Sequence, residues 1–113
     1  GTGSNLDEEA LALYGRLIAR REHVEGTLAM MAQWSLKELN AALPEIATRT
    51  LFLHGSRDQA VRPAVAERAA AAMPNAVLRL LDGVGHIAQE ETPERTAAEI
   101  LDFLRKSAPA AAQ

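Results

Sequence analysis

The 113-residue chain has no cysteine, which excludes disulfides and thiolate metal sites and makes the reducing cytoplasm the plain expectation. It has no basic run either, and a formal net charge of -3 offers nucleic acid no electrostatic footing. No apolar stretch approaches the roughly 20 residues that span a bilayer, and no basic N-terminal segment leads into an apolar one. The three histidines, at 23, 54 and 86, lack metal-ligand spacing, so neither a metal nor another cofactor is expected. An initiator Met is also missing. The chain opens Gly1-Thr-Gly-Ser-Asn5 and is expected to be a fragment.

What is present suits one globular domain, because a hydrophobic fraction of 48% at this length can supply a core. Leu6, Ala10, Leu13, Tyr14, Leu17 and Ile18 recur at helical spacing behind the capping residues Ser4, Asn5 and Asp7, predicting a helix to about Arg21 with one buried face. A second helix is expected over 23–34, with Val24, Leu28, Met31 and Trp34 on one stripe. Ser35 and Glu38 have capping-box spacing and open a short helix closed before Pro44.

The period then changes. Thr50-Leu-Phe-Leu-His54 and Ala76-Val-Leu-Arg-Leu-Leu81 are apolar runs of strand length, expected to be covered on both faces. Between them Pro63 opens an Ala-rich helix reaching about Met73. After them Thr92 is expected to cap, and Pro93 to begin, a final helix to about Lys106 with Ala97, Ile100, Leu101 and Leu104 inward. The pattern is a parallel β-α-β-α unit of the α/β class, and both loops leaving its strands emerge on the edge where α/β sheets collect ligands and catalytic groups. Asp58 follows the first strand and His86 the second, so the two are candidates for an acid-base couple. Taken singly, Asp58 would only stabilise a turn and His86 only cap the last helix.

The run Leu53-His-Gly-Ser-Arg-Asp58-Gln-Ala-Val61, with Gly83-Val-Gly-His86, resembles the final third of the α/β-hydrolase family, over roughly Leu43 to Leu104. Arg49 and Gln89 depart from residues common in that family, Pro and His respectively, and neither touches the couple. The resemblance implies a catalytic triad in which His86 is the base and Asp58 the acid that orients it and stabilises its imidazolium. Gly83 and Gly85 would allow the tight backbone that aims the imidazole. Among the other polar residues, His54 reads as a satisfied core histidine and His23 as a helix opener. Asp82 is a loop carboxylate near His86, Glu90 and Glu91 favour the N-terminus of the last helix, and Arg62 and Arg68 are solvated.

The triad's nucleophile is missing. In this family it sits in a Gly-x-Ser-x-Gly elbow upstream of the acid, and no such pentapeptide occurs here. Gly1-Thr-Gly-Ser4-Asn5 has the wrong register, Ser56 lies in the acid loop, and the oxyanion hole built beside the elbow is absent too.

The segment His23-Val-Glu-Gly-Thr-Leu-Ala-Met-Met-Ala-Gln-Trp34-Ser-Leu36, preceded by Thr2-Gly-Ser4, resembles the cap region of the magnesium chelatase accessory proteins of bacteriochlorophyll synthesis, which are α/β-hydrolase relatives. That resemblance implies a large apolar, tetrapyrrole-related ligand, with Met30, Met31 and Trp34 as its lining. Met and Trp at helical spacing serve equally as ordinary core.

The chain thus reads as a partial α/β-hydrolase fold: a helical cap segment over 1–43, the C-terminal β-α-β-α part of the core over 44–107, and a frayed tail over 108–113. Its expected function is the C-terminal part of a hydrolase acting on an ester or related acyl bond, inactive alone. The alternatives are a non-hydrolytic accessory or tetrapyrrole-binding role in magnesium insertion, and an interaction module with no chemistry. Two strands leave an uncovered edge, which the missing N-terminal half of the fold or a second copy of the chain is expected to fill, besides a small apolar ligand.

Overall fold

The computed structural model describes residues 1–107; the expected tail at 108–113 lies outside the described residues. The chain forms two compact units, one of Leu6–Ala42 and one joining Gly1–Asn5 to the chain from Leu43 onward. Residues 1–5, which the sequence groups with the helices, therefore pack with the strands.

The helical unit holds α1 (Glu8–Ile18), α2 (Arg21–Ala32) and α3 (Lys37–Ala42). The Asp7 carboxylate caps α1 by accepting from the N–H of Ala10 at 2.8 Å, with Glu8 and Glu9 favourably placed in the first turn. Arg20 takes extended backbone and separates α1 from α2. The amide of Asn40 bonds the carbonyl of Leu36, so Leu36 rather than Ser35 stands at the start of α3, and Pro44 falls inside a 3-10 turn over Leu43–Glu45.

None of the three helices has a buried residue, and the expected buried face of α1 is open, with Leu13 49% and Ile18 70% exposed. The apolar periodicity is real, but within this unit α1 and α2 pack chiefly on each other, and a layered core needs more cover than that.

In the other unit β1 (Thr50–Gly55) pairs in parallel with β2 (Ala76–Leu81), Thr50 opposite Ala76 and Gly55 opposite Leu81. The crossover that such a parallel pair requires is made by α4 (Pro63–Ala72), which opens on Pro63 and packs on both strands. A short helix α5 (Ala88–Glu91) follows the second loop, and α6 (Pro93–Ser107) closes the unit.

The strands are not covered on both faces. Val77 and Leu80 are 41% and 45% exposed, because two strands and their helices cover only part of a sheet. The face that α6 turns inward also differs from expectation. Ala97, Ile100, Leu101 and Leu104 are exposed, whereas Thr96 is buried and Glu99 and Asp102 bind the Arg79 guanidinium of β2 at 2.6 and 2.8 Å. Arg79 is the one charged residue of β2, and pairing it takes precedence over the apolar stripe of the helix. Arg49 reaches the far end of α6, donating to the carbonyl of Lys106 at 3.1 Å and lying 4.9 Å over the Phe103 ring. Thr92 does not cap α6, since its hydroxyl donates back to the Ala88 carbonyl.

The buried centre is small: Leu81, Val84 and Ala88, with Leu53 packed against them. It lies at the carboxyl end of β2, in the loop that follows and at the start of α5, on either side of His86 in the chain.

Candidate active site

The two loops leaving the strands are zipped together by backbone bonds that continue the sheet. The amide of Ser56 donates to Leu81 at 2.9 Å, and that of Arg57 to Val84 at 2.8 Å. Asp58 then turns back over β1, its amide bonded to Gly55. Its carboxylate is buried, with Oδ1 accepting from the N–H groups of Ala60 and Val61 at 2.9 Å each. This is the turn-stabilising role expected of an isolated aspartate.

The second oxygen does something else. Oδ2 lies 2.8 Å from Nδ1 of His86, whose side chain is 41% exposed. Burial alone would raise the Asp58 carboxyl. The hydrogen bond with His86, the amides of Val61 and Ala60, and the charge of His86 outweigh it and hold the carboxyl below its ordinary 3.8. Asp58 is therefore ionised at neutral pH and can only accept, so His86 carries its proton on Nδ1 and leaves Nε2 as the basic nitrogen.

His54, read from the sequence as a satisfied core histidine, is satisfied by the Val61 carbonyl at 2.8 Å but also stands beside the acid, its Nε2 3.3 Å from Asp58 Oδ2. A carbonyl only accepts, so Nε2 of His54 donates. Its place four residues before Asp58, at the end of a strand, carries no periodic signal that would have marked it.

Asp82 is not a rival acid. It accepts from the Ser56 hydroxyl at 3.2 Å, while that oxygen accepts from the Gly83 amide at 2.9 Å. Gly83 has φ of +77°, the left-handed region that favours glycine, whereas Gly85 is required for closeness: a Cβ there would collide with the backbone of Gly3 and Ser4. Glu91 does not serve the N-terminus of α6. Its carboxylate turns to the His86 loop and accepts from the amides of Gly85 at 2.9 Å and Asn5 at 3.0 Å.

Met30, Met31 and Trp34 belong to the helical unit and Asp58 and His86 to the other. All three are exposed, Met30 and Met31 on α2 and Trp34 just beyond it beside an open apolar recess formed with Ser35 and Leu36. That unit also carries a groove of about 480 Å³ lined by Leu13, Arg16, Leu17, Ala19 and Arg20. Among the described residues no cluster of His, Asp and Glu could hold a metal ion, and no helix is long and apolar enough to cross a membrane.

The parallel βαβ unit, with a buried Asp and a His on adjacent loops at its carboxyl edge, is that of a partial α/β-hydrolase fold. The sequence profile of the alpha/beta hydrolase family matches residues 5–99, and the chain belongs to that family. It is similar to the magnesium-chelatase 30 kDa subunit of Rhodobacter capsulatus, with 44% identity over 91% of the chain and 36% of that protein. It is also similar to a 2-hydroxy-6-oxononadienedioate/2-hydroxy-6-oxononatrienedioate hydrolase of Paraburkholderia xenovorans, 32% identical over 87% of the chain and 35% of that protein. Among solved structures, an α/β hydrolase enzyme from the lagoon-sediment metagenome of Mar Chica, Morocco, superposes with a TM-score of 0.73 at 26% identity, over 93% of this chain and 48% of that one. The chain thus spans little more than a third of the length of the curated relatives it matches.

Proposed function

We propose that this chain supplies the acid and the base of a hydrolase triad, and that the intact protein hydrolyses an ester or related acyl bond. The observation that carries the reading is the 2.8 Å contact between His86 Nδ1 and a buried, ionised Asp58. In the reaction Nε2 of His86 takes the proton of a nucleophile and returns it to the leaving group, while Asp58 fixes the tautomer and stabilises the imidazolium. The nucleophile and the oxyanion donors belong to the part of the family fold upstream of the acid, and a catalytic elbow there completes the site. The lack of cysteine agrees with a cytoplasmic setting.

A second reading has its own support in the 44% identity to a magnesium-chelatase subunit and in the exposed Met30, Met31 and Trp34. In it the same scaffold binds a large apolar tetrapyrrole without hydrolysing it, the methionines and the tryptophan forming the apolar lining.

The deciding experiment assays the intact protein on p-nitrophenyl esters of graded acyl length, beside titration with a free-base porphyrin followed by Trp34 fluorescence. Hydrolysis lost in both Asp58→Asn and His86→Ala supports the enzyme. Porphyrin binding with no ester turnover replaces the first reading by the second.

A further inference from the structure

Three consecutive backbone amides around the candidate base are held, one by a nearby carboxylate and two by groups more than eighty residues away. That of Gly85 donates to Glu91 Oε1 at 2.9 Å, that of His86 to the Thr2 carbonyl at 3.3 Å, and that of Ile87 to the Ser4 hydroxyl oxygen at 2.9 Å. The same Thr2 carbonyl accepts from the amide of Gln59, next to the acid, at 3.2 Å. One carbonyl therefore ties the backbone of His86 to that of Gln59, the residue after Asp58. Glu91 Oε2 closes the arrangement by accepting from Asn5 at 3.0 Å. Fit between the strands of chain is tight: Gly3 has φ of +74°, and a Cβ on it would collide with the carbonyl of Arg57 in the acid loop.

We infer that residues Thr2–Asn5 form a strap, clasped by Glu91, that sets the His86 and Asp58 loops in register, so that Glu91 and Ser4 are positioning residues for the base. The inference rests on the triad reading of His86. A backbone amide is an obligatory donor, and fixing three in succession leaves the peptide planes on both sides of His86 little freedom. The clasp suits a carboxylate in particular, because its two oxygens accept from two segments at once. Burial would raise the Glu91 carboxyl, but the Asn5 amide, the Ser4 hydroxyl, the Gly85 amide and the charge of Arg57 hold it below its ordinary 4.5, so it is ionised and acceptor-only near neutral pH.

The test follows the imidazole nitrogens of His86 by ¹H–¹⁵N multiple-bond spectra of the ¹⁵N-labelled chain above the titration of the ring. The wild type is expected to show His86 protonated on Nδ1. Glu91→Gln, which puts an amide NH2 where one acceptor stood, and Ser4→Ala are each expected to shift the two nitrogens toward a mixture of tautomers while far-ultraviolet circular dichroism is unchanged. Ser4→Thr, which keeps the hydroxyl, is expected to retain the wild-type pattern. Asp58→Asn is the reference for complete loss. If Asp58→Asn abolishes the Nδ1 tautomer but Glu91→Gln and Ser4→Ala leave it intact, the strap does not position the base and the inference is overturned while the couple stands. If Asp58→Asn changes nothing, the couple itself fails and the inference with it. Should Glu91→Gln unfold the chain, Ser4→Ala against Ser4→Thr carries the same decision, since only the hydroxyl differs in role.

Discussion

Nδ1 of His86 lies 2.8 Å from Oδ2 of Asp58, while the other carboxylate oxygen is held by two backbone amides of its own loop. The acid is thus anchored from one side and presented to the base from the other. Mobility of the pair is limited at the carboxylate rather than at the more exposed imidazole. Replacing Asp58 by Asn keeps the shape but removes the acceptor that fixes the ring. In the intact protein this substitution is expected to lower kcat by about 10⁴-fold with a much smaller change in KM, as for loss of tautomer control in a triad. Steady-state kinetics on a p-nitrophenyl ester measure it, and a loss of less than tenfold would remove Asp58 from the chemistry.

The chain by itself is expected to show no esterase turnover, for it contains no Gly-x-Ser-x-Gly elbow to supply a nucleophile and the hydroxyl of Ser56 is engaged with Asp82 and Gly83. Release of p-nitrophenolate should match buffer. Turnover that vanishes in His86→Ala would contradict this.

Acid should loosen the site loops in a definite window. Asp58 and Glu91 both have carboxyls lowered in the fold, from ordinary values of 3.8 and 4.5. A group with a depressed folded pKa contributes stability that is fully present above its unfolded value and is lost as pH falls through the folded one. Stability should therefore be level in these two terms near pH 7 and decline below about pH 4.5. Urea unfolding at a series of pH values checks the slope, which Asp58→Asn and Glu91→Gln should each flatten. An unaltered acid slope in both variants would show that these carboxylates do not report the fold.

Leu81 is 1% exposed and forms the buried centre of the strand unit with Val84 and Ala88. Leu81→Ala should cost about 2–5 kcal/mol. Val77→Ala, at a residue 41% exposed on the same strand, should cost clearly less. Denaturant titration of both variants measures the difference. Equal losses would place the packing centre elsewhere.

Open apolar surface on both units should drive association. Leu13, Leu17 and Leu28 of the helical unit and Val77 and Leu80 of β2 are all more than two-fifths exposed. An edge strand beside uncovered leucines is a template for pairing. Sedimentation velocity over a range of concentrations should show reversible self-association that adding the upstream part of the fold in trans suppresses. A chain that stays monomeric and unfolds cooperatively with about 5 kcal/mol or more would be a self-sufficient domain.

Much of the strand unit was legible because its signals are local. The β2 run coincides with the strand and the β1 run falls one residue short of it, α4 opens on the proline that marked it, and Asp58 and His86 meet because loops leaving parallel neighbours must share an edge. Periodicity also found α1 and α2, and it predicted buried faces that are open here: a stripe of leucines states that a helix could be covered, whereas burial needs a partner layer. What only the tertiary structure decided are contacts between residues far apart in sequence. Glu91 bonding Asn5 across 86 positions and Arg79 drawing Glu99 and Asp102 inward are choices of polar partner. Such a choice depends on which charges and amides are brought within hydrogen-bond reach and shielded from water, and residue spacing along the chain carries no trace of it.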